Sequence, residues 1–407
     1  MRILFLTDNF PPEVNAPASR TYEHCREWVK AGHEVTVITC APNFPSGKVF
    51  DGYRNRLWQR EEMDGIEVIR VWTFITANEG FLLRTLDYVS YMMSATLAAP
   101  FVRRADVVVA TSPQFFTAVA GYLTSRIKRA PFVFELRDLW PESIKAVGAM
   151  KDGPMLRGLE KLELFLYRKA QAVVAVTRSF RENLIERGIK ADKITVITNG
   201  VDRTRFQPRE KDRALVQRLG LQDKFVAGYI GTHGMAHALE TLLEAARLVR
   251  GENIHLLLLG DGANKQTLQA RADQMKLDNV TFLDSVPKEQ VVRYWSLLDA
   301  SIIHLRKTPL FKTVIPSKLF EALAMGIPVL HGVEGESADI VAREEAGLLF
   351  EQENAEELAN ALRRLKNDHD LHARLRENAL KAAGKYDRSV LAKRMLGLLE
   401  NLGADGC

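Results

Sequence analysis

The sequence predicts an α/β protein built from two doubly wound, Rossmann-like domains in tandem. Three observations lead there. A chain of 407 residues with 46% hydrophobic and 26% charged content has enough apolar material for two cores and is long for one open-sheet domain. Short β-branched runs alternate with helix-length stretches, which implies parallel strands covered on both faces. That alternation runs through twice, with a polar break between the two passes.

The first set of strands is expected at Arg2 to Asp8, Glu34 to Cys40, Ile66 to Trp72, Asp106 to Thr111, Phe132 to Asp138, Ala172 to Thr177 and Ile194 to Asn199. The second set is expected at Phe225 to Gly231, Ile254 to Gly260, Val280 to Leu283, Ser301 to Leu305, Pro328 to His331 and Gly347 to Phe350. Between them, Asp202 to Arg218 crowds charged residues without apolar periodicity and reads as a linker. The expected domains are 1–205 and 206–385. A closing helix at 386–403 is expected to join the first domain, its Val390, Leu391, Met395, Leu396, Leu398 and Leu399 recurring at helical spacing.

A net charge of +5 is too weak a bias at this size to indicate nucleic acid, and suits anionic small substrates or an anionic lipid surface equally. Three cysteines without a C-x-x-C pair argue against a disulfide framework and a zinc site, and favour a reducing cytoplasm. The first residues lack the long apolar run of an export signal. Tyr88 to Val102 is nearly uncharged and is followed by Arg103 and Arg104; it is too short to span a bilayer and contains Pro100, so a buried or interfacial helix is expected. Arg54, Arg56, Trp58 and Arg60 form either a patch for anionic lipid or a solvated loop.

In open α/β sheets ligands sit at the carboxyl ends of the strands, so the loops there carry the functional signal. After the first strand, Asp8 to Ala16 lacks the G-x-G-x-x-G of a dinucleotide site, which disfavours a nicotinamide or flavin enzyme. Asn15, Ala16 and Ala18 lead into a helix whose free amides suit a phosphate or sugar hydroxyl; equally, the Pro-Pro pair simply ends a strand. Gly231, Thr232, His233 and Gly234 open onto a helix and form an anion cradle or a tight turn. Ser317, Lys318 and Glu321 fall on the first turns of a further helix, where the lysine suits a diphosphate and the carboxylate suits paired ribose hydroxyls.

The segment Pro316 to Val329, Pro-Ser-Lys-Leu-Phe-Glu-Ala-Leu-Ala-Met-Gly-Ile-Pro-Val, resembles the donor signature of glycosyltransferase family 4, the retaining GT-B enzymes, and within it the WbuB-like bacterial polysaccharide branch. Phe10 to Glu13, Arg137 to Ser143, Thr198 to Asp202 and Gly260 to Gly262 fit the same pattern. The resemblance implies a GT-B fold, two Rossmann-like domains facing across a cleft, and a nucleotide sugar, UDP-linked, as substrate with no separate cofactor or metal. Of the family's E-x7-E motif, the second glutamate is Glu321, which would bind donor ribose; the first falls at Thr313. The Thr313, Val314, Ile315 and Pro316 backbone would substitute for it. Where relatives carry an Arg and a Lys behind the glycine loop, this chain has Thr232, His233 and Glu240, so Lys318, with Lys312 or Arg306, becomes the neutralising charge. Gly262 completes the donor set.

Breaking a glycosyl–phosphate bond places negative charge on the departing diphosphate, so leaving-group stabilisation is the centre of the expected mechanism. Lys318 would supply it, and Asp138 and Glu142 would orient or partly deprotonate the acceptor, their alternative being helix capping. The one D-x-D, Asp368-His369-Asp370, lies between helical patterns and is expected to cap a helix. Similar enzymes build O-antigen, lipopolysaccharide, capsule or exopolysaccharide on lipid-linked acceptors, so the implied partners are the donor, a glycan or lipid-linked acceptor and the anionic inner face of a membrane, with no nucleic acid. The alternatives are a GT-B sugar-nucleotide epimerase and a catalytically inactive membrane scaffold.

Overall fold

The structure, a computed structural model, describes residues 1–44, 46–76, 81–140, 153–287 and 289–404, without the side chains of 81, 82, 310 and 404. Two compact units divide the chain. The first comprises Met1–Thr198 and Arg388–Cys407, the second Asn199–Asp387.

Among the described residues the first unit holds an eight-stranded sheet in the order β3-β4-β2-β1-β5-β6-β7-β8. Its strands are β1 (Arg2–Leu6), β2 (Glu34–Cys40), β3 (Trp58–Met63), β4 (Ile66–Val71), β5 (Val107–Thr111), β6 (Phe132–Leu136), β7 (Ala172–Ala175) and β8 (Ile194–Val196). All adjacent pairs are parallel except β3 with β4. β1 is central, with Ile3 opposite Val35 on one side and Val107 on the other. Its alternate residues feed two cores: Leu4 and Leu6 pack with Ile38, Tyr91 and Phe134, while Ile3 and Phe5 pack with Val37 and Trp28. That two-sided burial is why β1 reads as an unbroken apolar run.

The helix Arg388–Ala404 completes the second of those cores with Leu391, Met395 and Leu399. It lies on α1 (Ala16–Lys30), where the Trp28 indole donates to the Ala392 carbonyl at 2.9 Å and Arg388 pairs with Glu23. Within the same unit Arg20 is buried, donating to Glu135 at 2.9 Å and to the carbonyls of Thr198 and Ile197 at 2.7 and 3.0 Å.

The second unit holds a six-stranded parallel sheet in the order β11-β10-β9-β12-β13-β14. These are β9 (Phe225–Ile230), β10 (Ile254–Leu259), β11 (Val280–Leu283), β12 (Ala300–His304), β13 (Val329–Gly332) and β14 (Gly347–Leu349). In each sheet the connection reverses beside the central strand, between β1 and β5 and between β9 and β12, which places binding loops at the carboxyl ends there.

Two expectations on the chain's organisation are corrected, and a third, the helix over the uncharged stretch, is extended. Arg54, Arg56, Trp58 and Arg60 are all exposed, and from Trp58 onward the segment is the antiparallel edge strand β3 where a loop is one of the two readings. The polar stretch 202–218 is no linker, because Phe206 and Leu215 are buried in the second unit's core and Arg213–Arg218 is helical, capped by Asp212. The uncharged stretch belongs to a longer helix, α2 (Phe81–Ala98), buried on one side through Tyr91 and Ala95 and exposed on the other. None of the described helices is long and apolar enough to cross a membrane.

Candidate active site

In the second unit the loops after β9 and β10 nest against each other through glycines. A Cβ on Gly260 would lie 1.9 Å from the Gly231 carbonyl oxygen, and one on Gly262 2.6 Å from that of His233. Both glycines have positive φ, as does Gly231 at 148°. The His233 amide donates to Asp261 at 2.8 Å and its carbonyl accepts from Asn264 at 2.9 Å, so Gly231, Thr232, His233, Gly234 and Gly262 form one backbone cradle. Lys265 fastens it from below: its buried ammonium donates to the Gly260 carbonyl at 2.9 Å and to Asp284 at 2.5 Å.

Lys318 enters this cradle from the helix Lys318–Met325. A Cβ on Gly231 would fall 2.7 Å from its Nζ, so glycine is what leaves room for the ammonium. The Nζ sits 3.8 Å from the centroid of the Tyr229 ring, and the Tyr229 hydroxyl donates to the Thr232 carbonyl at 2.8 Å. An aromatic face attracts a cation but does not neutralise it. Among the described residues Lys318 forms no ion pair. Burial pulls its pKa down to about 7, with the Glu321 carboxylate opposing.

The other expected donor residues divide into those that reach this place and those that do not. Ser317 stands at the N-cap without using its hydroxyl as a cap, and Glu321 lies one turn on. Thr313 ends a 3-10 turn, Val314 is exposed, Ile315 is buried in the core, and the Pro316 carbonyl accepts from Leu319 at 3.0 Å. Lys312 pairs with Glu334 at 2.7 Å on the surface. Arg306 donates to the Met235 carbonyl at 3.2 Å. The His233 side chain is fully buried with neither ring nitrogen bonded, and burial followed by the charge of Lys265 lowers its pKa to about 4, so it serves the cradle through its backbone.

Two expected residues lie in the first unit. Asn15 caps α1, its side-chain oxygen accepting from Ala18 at 2.9 Å, and it donates to Asn9. Asp138 follows β6, its amide 3.3 Å from the Ser112 hydroxyl, and its carbonyl accepts from Trp140 at 3.1 Å. Glu142 lies outside the described residues. Asp368 caps the helix His369–Lys385 through the Leu371 amide at 2.9 Å.

Sequence reasoning missed Tyr229, His237 and Lys265. Tyr229 reads as one more buried strand residue, although it is the last aromatic before a glycine loop. His237, whose pKa burial and then Lys318 lower to about 4, faces the same ammonium from the 3-10 turn Met235–His237.

Two consecutive open α/β sheets, the second with a glycine cradle and a half-buried cation at its strand ends, define a GT-B architecture. Residues 15–200 match the family described as "Glycosyl transferase 4-like domain", and residues 211–382 match "Glycosyl transferases group 1". The chain is thus a glycosyltransferase of GT-B type, with a 4-like domain in its first half and a group 1 domain in its second. It is 29% identical over 338 residues to the protein named as the putative colanic acid biosynthesis glycosyl transferase WcaI of Escherichia coli, covering 80% of this chain and 82% of that one. To the capsular polysaccharide biosynthesis glycosyltransferase CapM of Staphylococcus aureus it is 22% identical, covering 67% and 70%. The fold is shared with sucrose-phosphate synthase from Thermosynechococcus elongatus, at TM-score 0.75 and 17% identity over 99% of both chains. Anabaena HepE, solved with UDP and glucose, shares it at TM-score 0.68 and 18% identity over 98% of this chain and 99% of that one.

Proposed function

We propose that this chain is a retaining transferase of a hexosyl or N-acetylhexosaminyl group from a UDP-linked donor to a glycan or lipid-linked acceptor in bacterial surface polysaccharide synthesis. The observation that carries it is the placement of Lys318: a half-buried ammonium on an aromatic face, against Gly231, at the N-terminus of the helix that also bears Glu321. Amides and an ammonium converging at one point match a diphosphate, and they gain most where the leaving oxygens acquire charge. Glu321 would take the ribose hydroxyls, and Lys318 would neutralise the departing diphosphate without a metal. Asp138 and Glu142 are the proposed acceptor-side carboxylates. The relatives WcaI and CapM, named for colanic acid and capsule, support the polysaccharide assignment, and HepE, solved with UDP-glucose, supports the donor. The WbuB-like assignment rests on the Pro316 to Val329 signature alone.

We place the protein on the cytoplasmic face of the membrane. α2 presents Leu83, Leu86, Met93 and Leu97 to solvent, followed by exposed Phe101, Arg103 and Arg104. Apolar side chains next to arginines suit anionic lipid.

Calorimetric titration with UDP, GDP and ADP tests the donor. UDP is expected to bind most tightly and to lose that affinity in Lys318→Ala and Glu321→Ala. Unchanged affinity in both variants would defeat the assignment. Product from a UDP-sugar without any acceptor would indicate an epimerase, and the anomeric coupling of the product glycoside, read by NMR, tests retention.

A further inference from the structure

The second unit contains a cavity of about 490 Å3 at the edge of its sheet opposite the glycine cradle, beside the starts of β12 and β13, where Asp299 and Pro328 lead into those strands. Its walls come from the chain at 208–211, the turn 295–299 and the helix His369–Lys385. Its floor is apolar, with Leu298, Met325 and Ile327 buried there. The helix Lys318–Met325 therefore gives its first residue to the cradle and its last to this cavity, with about 10 Å of helix rise between them.

The charges around this cavity do not cancel. Each nearby acid already has a cation: Asp299 accepts from Lys211 at 2.7 Å and from the Val226 amide at 2.8 Å, Asp212 accepts from Arg293 at 2.8 Å, and Glu210 stands 4.0 Å from Arg213. Arg209 and Arg376 are left over. Both line the cavity, both are exposed, and among the described residues neither forms an ion pair. They arrive from separate segments, and the second is anchored: His372, one turn before Arg376 on the same helix face, donates from Nε2 to the Asp299 carbonyl at 2.8 Å. Two guanidinia at one concavity repel each other until an anion bonds both.

We propose that this cavity is a second anion site, separate from the glycine cradle, which takes the phosphate group of a small phosphorylated molecule between Arg209 and Arg376. The assignment goes beyond the transferase reading and stands independently of it. A phosphate fits better than a carboxylate, because its three terminal oxygens can serve two planar guanidinium forks at once, whereas the two oxygens of a carboxylate are taken up by one. The helix Lys318–Met325 ends here at its negative pole, so the phosphate belongs at the rim with the arginines and not on the floor beside Gly326. The floor and Pro208 are left to the uncharged body of the ligand. The volume lies in the ordinary range for small-molecule sites. The paired acids Glu210 and Asp212 keep the surrounding surface from being broadly cationic, which favours a free ligand over an anionic lipid sheet.

The test is calorimetric titration of the whole protein with hexose 6-phosphates, pyrophosphate and the uncharged parent hexoses. It is run twice, once with saturating UDP and once in Lys318→Ala without UDP, so that the cradle cannot supply the signal even if UDP does not bind. At least one phosphorylated probe is expected to bind saturably under both conditions, and its uncharged parent is not. That affinity is expected to fall about ten-fold or more in Arg209→Ala and in Arg376→Ala. Both side chains are exposed, so the thermal unfolding midpoints of the two variants are expected to match that of the unsubstituted protein. Absence of saturable phosphate binding, binding that ignores both arginine substitutions, equal binding of the uncharged hexose, or binding abolished by UDP and by Lys318→Ala alike would each overturn the proposal. So would arginine-dependent association with phosphatidylglycerol vesicles in a protein that binds none of the free phosphates. Failure of UDP to bind the unsubstituted protein would count against the transferase reading alone, which keeps the two failures distinguishable.

Discussion

The two units share a sheet plan and differ in the sign of the charge they bury at its functional edge. At the carboxyl ends of β1 and β2 the first unit gathers Asp8, Glu13 and Asp87, all raised by burial. At the ends of β9 and β10 the second gathers Lys318 and two histidines, all lowered by burial. The same physical term, loss of water around a charge, drives both sets toward neutrality from opposite directions. A parallel sheet therefore dictates where a site lies, while the few side chains lowered into it decide which ligand charge is welcome.

Substitutions confined to one unit break this contrast. The largest effect is expected from Glu135→Gln, which strands the buried Arg20 and should cost roughly 3–5 kcal/mol in denaturant unfolding, with UDP affinity retained in the folded fraction. Although burial opposes it, Arg20 and Arg137 hold Glu135 down to about 2. Its contribution is therefore complete above the ordinary carboxyl pKa and disappears as pH falls toward 2. Next, Lys318→Ala should weaken UDP binding about a hundred-fold, on the order of 2.7 kcal/mol, by calorimetry.

A pH series sharpens the same contrast. With its pKa near 7, free Lys318 must take up a proton to meet a diphosphate above neutrality. UDP affinity should be full below pH 7 and fall by up to about ten-fold per unit above it, levelling off once the pKa of the bound lysine is passed. Lys318→Arg should flatten that profile, and a wild-type profile flat from pH 6 to 9 would contradict the burial of this ammonium. The smallest effect belongs to Asp368→Ala, which should remove a helix cap worth about 1 kcal/mol in thermal unfolding without altering UDP affinity.

Most of the architecture was legible because buried parallel strands are apolar on both faces and so stand out as unbroken runs. β3 escaped because Trp-Gln-Arg-Glu-Glu-Met is an edge strand, one-sided and charged, with no apolar run to betray it. The polar stretch at 202–218 misled for the opposite reason: isolated anchors such as Phe206 and Leu215 suffice to dock a segment that lacks periodicity. Lys318, Glu321 and the glycine loop could be read because they are short-range patterns on one loop or one helix turn. Asp8, Glu13, Asn43 and Asp87 could not, since three separate segments bring them together. Lys312 illustrates the same limit, because its partner Glu334 arrives from beyond β13 and no local spacing announces it.

The helix at 388–404 has a bearing on biogenesis. The apolar groove that receives Leu391, Met395 and Leu399 is formed by residues translated early, yet its filler leaves the ribosome only after the entire second unit. At about 5–20 residues per second, that groove stays uncovered for on the order of ten seconds or more in every nascent chain, a window for chaperone capture or premature association. The unit translated first is thus the one finished last.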